Sequence, residues 1–461
     1  MRISSRHFLW LSLFIGLSLV GVSGCGQSRN SAESGPLALQ AAGAANSENT
    51  SIAARTAEFD KNGDYSGLVA LARAQLKLDA NDADARHALA LGSFYNCDFP
   101  LAVAEWEAIT QTPAYAQNAE VLELLRVARF LKGRYPDQKF EPVQAVTGEI
   151  AAQSEKWRAR GATLITAKKY DEIEKIAADQ TRKPTIMSDG GWVLAPFYVG
   201  LWDGDVDAES EVQWKINHAR VVAWNAARPA SQLARNCLAR SWTNGAWLAR
   251  GSEYADKVSP QAWKTVEERQ LKAAPIYGKL LKEKATSPLV YAAAQRFGRL
   301  GNAPRDWHDQ VLKNAVAKFP DYTDFYRERA IYLLPRWDGA PGEWERELET
   351  SADEEAARLD AAAGDRLYAR VVWEMWEYHR NLKEQTQIDW PRTKRGFDSI
   401  LQQNPGSLSA TTMYLRLCYQ WNEGIKAREI LQITGGRADS SNWDTPNRFA
   451  RQRIMILRLL P

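Results

Sequence analysis

Acids, an imidazole and aromatic rings stand together in residues 373–379, Trp-Glu-Met-Trp-Glu-Tyr-His. These side chains can hold a metal ion or move a proton, so the stretch is the first candidate for chemistry. Helical di-iron sites need a Glu-x-x-His spacing, which places both ligands on one face of a helix. Here Glu377 precedes His379 by only two residues. The spacing therefore does not indicate a metal site, and we expect no bound cofactor.

A second candidate is an acidic turn in which Asp203, Asp205 and Asp207 alternate with other residues. Such alternation is typical of a calcium loop, which takes several oxygen ligands from one turn. However, Ala208 stands where the loop glycine belongs, and Trp214 stands where the bidentate glutamate belongs. The three aspartates are therefore a weak metal candidate. The favoured interpretation is a solvated acidic turn at the positive end of the helix that follows.

Motifs of the common enzyme classes do not occur after residue 25. There is no His-Glu-x-x-His, no Walker phosphate loop and no Gly-x-Ser-x-Gly nucleophile elbow. Glycoside hydrolysis by a pair of carboxylates stays an open hypothesis, because Asp and Glu are plentiful and some glycoside hydrolases are all-helical. Sequence spacing gives no way to choose a pair, so we assign no catalytic residue.

The first 25 residues have the organisation of an export signal. Arg2 and Arg6 precede an apolar run of 15 residues, 8–22, which is shorter than the ~20 that a membrane-spanning helix needs. The run ends in Val-Ser-Gly-Cys, which resembles the lipobox of bacterial lipoproteins. The resemblance implies a signal peptide over residues 1–24 and lipidation of the Cys25 thiol. A plain secretory signal with an incidental cysteine is the alternative.

The lipid chains on Cys25 would give a stable membrane anchor. By analogy with known lipoproteins, Gly26 after the cysteine favours the outer membrane, with the protein facing the periplasm. Residues 25–57 are rich in Ser, Ala, Gly, Asn and Gln, which predicts a disordered tether. We therefore expect a lipid-anchored protein of the bacterial cell envelope.

The charge balance argues against a nucleic-acid partner. The chain has 59 Lys+Arg and 56 Asp+Glu, which gives a formal net charge of +3. Without Arg2 and Arg6 the numbers are 57 and 56, and no basic stripe stands out. Because binding to nucleic acid depends on neutralising phosphates, we do not expect this protein to bind it.

From residue 58 onward one amphipathic helix follows another, with no long alternating strand pattern. The clearest predicted helices are 65–78, 82–94, 344–363 and 408–421. Short polar joints separate them, with Asp82, Ser231 and Ser407 suited to cap the next helix. Antiparallel pairs of this kind resemble tetratricopeptide repeats, most clearly over 58–182. The sequence therefore predicts an all-α protein, built as an irregular, tetratricopeptide-like α-solenoid.

The helix between Ser231 and Gly251 has clear boundaries. Ser231 is suited to cap its N-terminus, and Gly251 is suited to end it with a left-handed residue. One face carries small residues that let a neighbouring helix approach closely. On the opposite, polar face Trp247 stands among Arg240 and Arg250. We expect Trp247 to pack against a neighbouring helix, because large aromatic side chains are usually mostly buried. A ligand-binding role for these three residues is the alternative.

A joint at residues 335–339, Pro-Arg-Trp-Asp-Gly, is an unusual motif. It occurs together with Pro-Ala-Ser at 229–231, Ala-Trp-Leu-Ala-Arg-Gly at 246–251 and Phe-Pro-Asp-Tyr at 319–322. This set resembles an uncharacterised bacterial family, domain of unknown function 4034, over roughly residues 183–443. The resemblance implies a tetratricopeptide-type helical fold and no established activity. We accordingly expect a Trp-rich helical domain over 183–461.

Two residues of this joint have candidate roles. Arg336 could donate to the last carbonyls of the preceding helix, at its negative end. Trp337 would then fill the seam between helix pairs. The alternative is that Arg336 and Trp337 contact a ligand as a pair.

The expected function of the protein rests on its predicted architecture alone. The 18 Trp are either anchors between packed helices or exposed stacking surfaces, and composition does not separate the two. We expect a scaffold that binds a protein or peptide on its concave surface. The alternatives are a glycan-binding lipoprotein and, third, an all-helical hydrolase. A glycan binder needs several solvent-facing Trp in one groove, whereas an enzyme needs two carboxylates, or a His and a carboxylate, in a deep pocket.

Overall fold

Helices account for nearly all of the regular structure. The computed structural model describes residues 51–203, 210–283, 285–379, 381–443 and 445–459. These residues form 21 α-helices, one turn of 3₁₀ helix and two short β-strands. The prediction of an all-α protein is therefore confirmed.

The helices follow one another in chain order. The first seven are α1 (Ile52–Asn62), α2 (Tyr65–Leu78), α3 (Ala83–Tyr95), α4 (Phe99–Ile109), α5 (Ala119–Arg134), α6 (Glu149–Thr166) and α7 (Tyr170–Arg182). The next seven are α8 (Leu194–Asp203), α9 (Glu211–Ala227), α10 (Gln232–Arg250), α11 (Pro260–Lys282), α12 (Pro288–Leu300), α13 (Arg305–Lys318) and α14 (Asp324–Tyr332). The last seven are α15 (Glu343–Arg358), α16 (Ala361–Met375), α17 (Leu382–Gln385), α18 (Trp390–Gln403), α19 (Leu408–Gln420), α20 (Gly424–Thr434) and α21 (Pro446–Arg458).

The polar joints cap helices as predicted. The side chains of Asp82, Ser231 and Ser407 accept hydrogen bonds from backbone N–H groups three residues further on, at 2.9 to 3.0 Å. Such a bond satisfies one of the donors that the first turn of a helix leaves unpaired. At its other end α10 stops at Gly251, whose φ of 71° is accessible to glycine at little cost. Local sequence therefore determines these helix ends.

Two predicted boundaries are wrong. Helix α1 begins at Ile52, so residues 52–57 belong to the helical region and not to the tether. The single helix predicted over 344–363 is two helices, because α15 ends at Arg358 and Asp360 caps α16. The side chain of Asp360 accepts a hydrogen bond from the N–H of Ala363 at 2.7 Å. Helical periodicity continues across this break, and so the pattern conceals it.

Most tryptophans of the described residues are packing anchors. The fully or almost fully buried ones are Trp106, Trp192, Trp202, Trp214, Trp224, Trp344, Trp390 and Trp443. Each buries a large apolar area between helices, which is the main favourable contribution of such side chains to folding. Trp263 is more exposed than these, at 36%. An open groove of solvent-facing tryptophans, as expected for a glycan binder, is not seen among the described residues, but the half-buried Trp373 and Trp376 line one cavity.

Two short strands connect distant parts of the chain. β1 (Gln144–Val146) pairs in parallel with β2 (Arg437–Asp439). Beside them the last helix, α21, contacts both α1 and α3. The first and last described helices are therefore in contact, and the described residues between 51 and 459 belong to one compact unit. The α-solenoid arrangement and the domain boundary at residue 183 remain predictions.

A carboxylate reinforces this connection. Glu149, at the start of α6, accepts hydrogen bonds from the backbone N–H groups of Leu408 at 3.1 Å and Ser409 at 3.3 Å. Its other oxygen accepts from the hydroxyl groups of Ser188 and Ser407. A negative charge is favoured there because the N-terminus of α19 carries a partial positive charge. Glu149 thus joins segments that are far apart in sequence. Among the described residues, no helix combines the length and the apolar character that crossing a bilayer requires.

Candidate functional site

The candidate site is a polar chamber made of two adjoining cavities of about 190 and 170 Å³. Both cavities are lined by Trp373, Glu374, Ser441 and Asn442. The first is also lined by Arg327, Trp376, Glu377, Met413 and Arg416, and the second by Ile150, Asp189, Arg370 and Ser409. These residues come from positions 150 to 442. The connection between the two ends of the described chain therefore creates the chamber.

The end of α16 supplies one wall of the chamber. Trp373 and Glu374 lie in its last turn, and Trp376 and Glu377 follow in the 3₁₀ turn. Residues three apart in such turns lie on the same side, so two indoles and two carboxyl groups reach the same space. This is the stretch singled out in the sequence for its chemistry. His379 lies elsewhere, because its ring stacks on Trp344 at a centroid distance of 5.8 Å.

Glu374 is the central acid of the chamber. Its Oε2 lies 3.2 Å from Nε of Arg327, and a third of its side chain is exposed to the chamber. Desolvation of the carboxyl group raises its pKa to about 8, although Arg327 acts in the opposite direction. Asp324, Asp189 and Glu377 raise the pKa of Glu374 further through their negative charges. At neutral pH Glu374 is therefore largely protonated and can donate a proton or a hydrogen bond.

The pairing with Arg327 favours the ionised form of Glu374, but desolvation and the nearby acids outweigh it. Arg327 is shared with Glu328, whose Oε1 lies 3.7 Å from Nη2. Glu328 also pairs with Arg299 at 3.1 Å. Burial raises the pKa of Glu328, but Arg299, Arg327 and other arginines outweigh it and lower the pKa to about 2. The negative charge therefore resides on Glu328, and the proton resides on Glu374.

Two further acids lie near Glu374. Asp189 Oδ1 accepts a hydrogen bond from the N–H of Gly191 at 2.8 Å. Asp324 accepts one from the hydroxyl group of Tyr322 at 2.6 Å. Burial raises the pKa of both carboxyl groups. Two carboxyl groups with raised pKa, Glu374 and Asp189, line one cavity, which is typical of a functional site, although structural ion-pair networks also produce such shifts.

A glycine lets Arg370 enter the chamber wall. A Cβ atom at Gly190 would lie 2.1 Å from Nε of Arg370, and the φ of Gly190 is 90°. Both facts require glycine at this position. Burial lowers the pKa of Arg370, while Asp189 raises it. Gly190 therefore allows a charged side chain to approach the backbone beside Asp189.

Arg416 occupies the opposite part of the chamber, between two indoles. Its Cζ lies 4.1 Å from the ring centroid of Trp376 and 5.0 Å from that of Trp443. Nη1 donates a hydrogen bond to the carbonyl oxygen of Asn442. Burial and the nearby Arg448 lower the pKa of Arg416 to about 10, so it remains a cation at neutral pH.

The structure brings together three of the predicted binding residues, away from the chamber lining. The rings of Trp247 and Trp337 meet edge to face at 5.5 Å, and Arg250 lies within 5.8 Å of both centroids. Nη1 of Arg250 donates to the carbonyl oxygens of Gly251 and Glu253. These contacts are those of a packed helix joint.

The other two predicted residues make different contacts. Arg240 lies over the Trp202 ring at 4.9 Å, and the face of α10 that carries it is not solvated, since Asn236 is fully buried there. This polar face is buried because α10 packs against several helices. Arg336 lies 4.7 Å from the Tyr378 ring, with no hydrogen bond to the carbonyls of α14 among the described contacts.

The metal candidate is only partly described. Asp203 is buried at the end of α8, where its carboxylate pairs with Arg158 at 3.3 Å and accepts from Asn244 at 3.3 Å. Its side chain is thus held by protein groups. Asp205, Asp207 and the lipidation candidate Cys25 lie outside the described residues. Within the described ranges, no group of three or more His, Cys, Asp or Glu side chains is placed to hold a metal ion.

Sequence reasoning missed most of the chamber. It singled out the stretch that contains Glu374, because acids and aromatics cluster there. Asp189, Arg327, Arg370 and Arg416 belong to no motif that indicates a shared site. Only the contacts between distant segments identify them.

The chain was also compared with known proteins. Neither a protein-family model nor a curated protein sequence matches it. The function therefore has to be argued from the chamber itself, and membership of the family named above remains a proposal.

Proposed function

We propose that this protein binds a saccharide in the chamber. The observation that carries the proposal is the juxtaposition of Trp373 and Trp376 with Glu374, Glu377 and Asn442 around one cavity. Small-ligand sites combine apolar or aromatic surface with a few convergent polar groups. An indole can cover the apolar face of a sugar ring, while carboxyl and amide groups bind its hydroxyl groups. The chamber holds both kinds of group within a volume suited to a small ligand.

Hydrolysis of that saccharide is the second candidate, and the pKa of Glu374 specifically favours it. A protonated carboxyl group at neutral pH is what a glycosidase needs as its general acid. Glu374 would donate its proton to the glycosidic oxygen as the bond to the anomeric carbon breaks. A water molecule would add to that carbon and lose a proton to Asp189, which lines the same chamber. Burial, the largest effect, raises the pKa of Asp189, while the N–H of Gly191 and the charge of Arg370 favour the ionised form that this role needs.

Binding of a peptide, the first expectation from sequence, has less support. An extended peptide needs a long open groove, whereas the chamber consists of two small cavities of about 190 and 170 Å³. The proposed location is unchanged: a lipid anchor on Cys25 would hold the protein at the cell envelope. There a saccharide-binding protein would meet the polysaccharides of the envelope.

Tryptophan fluorescence tests saccharide binding. The chain without residues 1–25 is titrated with neutral tetrasaccharides of β-1,4-linked N-acetylglucosamine and of β-1,4-linked glucose, and with an unrelated peptide mixture. We expect a saturable shift with at least one saccharide, and its loss in Trp376→Leu. Trp263→Leu is the matched control, because Trp263 is partly exposed and does not line the chamber.

Circular dichroism shows whether each variant is folded. No shift with any saccharide, or an unchanged shift in folded Trp376→Leu, overturns the proposal. A shift with peptides alone favours the scaffold hypothesis. Hydrolysis is tested separately with Glu374→Gln, which should bind the saccharide as well as the native protein and release no reducing ends. If the native protein also releases none, only the hydrolytic candidate is rejected.

A further inference from the structure

Arg416 differs from the other two arginines that line the chamber. Arg327 pairs with Glu374 and Glu328, and Arg370 lies beside Asp189. Among the described residues, no ion pair within 4.0 Å includes Arg416. Its hydrogen bond to a neutral carbonyl, that of Asn442, and its contacts with two indoles leave its charge without a carboxylate partner among the described residues. A partly buried cation with no anion of its own is a ready site for a negatively charged group.

The orientation of the guanidinium group is fixed. The Trp376 and Trp443 rings contact it at 4.1 and 5.0 Å, and the Asn442 carbonyl occupies Nη1. Within the described residues no acceptor is bonded to Nε or Nη2. These two N–H groups form one edge of the guanidinium fork, whose spacing matches the two oxygens of a carboxylate or phosphate. The edge is thus held ready for bidentate binding.

We propose that Arg416 binds an anionic substituent of the ligand, so that the chamber selects acidic saccharides. This inference rests on the proposed saccharide-binding function and narrows it. The negative group is a carboxylate, as in a uronic acid, or a phosphate ester, because both fit the same N–H pair. Selectivity follows because a neutral sugar would leave the Arg416 charge desolvated and without a partner.

Calorimetric titration tests the inference with two matched pairs of probes. The first pair is a disaccharide ending in glucuronic acid and the same disaccharide ending in glucose, and the second is glucose 6-phosphate and glucose. We expect at least tenfold tighter binding of one acidic probe than of its neutral counterpart, weakened by added salt. Arg416→Gln should abolish this difference, because the acidic probe loses its charged partner. Arg416→Lys should retain a smaller difference, because lysine keeps the charge and lacks the fork.

Arg182→Gln is the control, since Arg182 is an exposed arginine of α7 that pairs with Asp179 on the surface. It should bind both members of each pair like the native protein. Equal affinity for acidic and neutral probes, or a preference that survives in folded Arg416→Gln, overturns the inference and leaves saccharide binding intact. If no saccharide binds, the proposed function itself fails. Preference for the phosphate over the uronic acid identifies the anionic group and supports the inference.

Discussion

The Nε atom of Arg327 lies 3.2 Å from Oε2 of Glu374, yet Glu374 holds a proton at neutral pH because its pKa is about 8. The same arginine also pairs with Glu328, whose pKa is lowered to about 2. The pKa values of two glutamates around one guanidinium group are thus shifted in opposite directions. The burial of each carboxyl group and the charges around it decide which of the two glutamates is ionised.

The first prediction concerns stability against pH. The folded state keeps Glu374 protonated to about pH 8, whereas the unfolded chain ionises it near the ordinary value of 4.5. Its contribution to stability is therefore complete below pH 4.5 and is lost as the pH rises through 8. Glu374→Gln, which does not titrate, should match the native protein at pH 5 and exceed it at pH 9. We expect a gain in Tm of roughly 1–3 °C at pH 9, measured by differential scanning fluorimetry.

The control for this prediction is Glu384→Gln, because Glu384 is exposed on α17. Its Tm difference from the native protein should not depend on pH. If the Tm difference between Glu374→Gln and the native protein is also independent of pH, Glu374 is ionised at neutral pH and the hydrolytic candidate has no general acid.

The second prediction concerns the connection through Glu149. Glu149→Ala leaves the N–H groups of Leu408 and Ser409 without their acceptor and removes the bonds from two serines. We expect a loss of about 2–3 kcal/mol in the free energy of unfolding, measured by urea denaturation. Glu155→Ala, at an exposed position of the same helix, should change it by less than about 0.5 kcal/mol. Equal effects of the two substitutions would show that Glu149 does not hold the segments together.

The third prediction separates packing from binding at the Trp337 joint. Trp337→Ala removes the edge-to-face contact with Trp247 and the ring beneath Arg250. We expect a loss of about 2–4 kcal/mol in stability and an unchanged saccharide titration, because Trp337 does not line the chamber. Trp263→Ala, at a more exposed position, should cost less than about 1 kcal/mol. A stable Trp337→Ala protein that fails to bind saccharide would instead support the ligand-contacting role.

The fourth prediction concerns the lipid anchor. Cys25→Ala removes the thiol that the diacylglycerol group would modify, so the variant should move from the membrane fraction to the soluble fraction of its own cells. Immunoblots of the two fractions measure this. Cys97→Ala is the control, because Cys97 is a buried free thiol and should not affect fractionation. Retention of Cys25→Ala in the membrane fraction would contradict lipid anchoring.

The sequence by itself determined the helices and many of their ends. Helix α2 has the predicted bounds, Tyr65–Leu78, and Ser231 caps α10 as expected. These features depend on bonds and side-chain spacings within four residues, which the local sequence contains. The break before Ala361 was missed because a cap inside a continuous helical pattern does not disturb the periodicity.

Only the tertiary structure decided where chemistry is possible. Periodicity tells which face of a helix is buried, but it does not tell which distant face meets it. The proximity of Asp189, Glu374 and Asn442 depends on the connection between the two ends of the described chain. The proton on Glu374 depends on the depth and charges that this packing creates, since desolvation acts on a side chain only after its neighbours have excluded water.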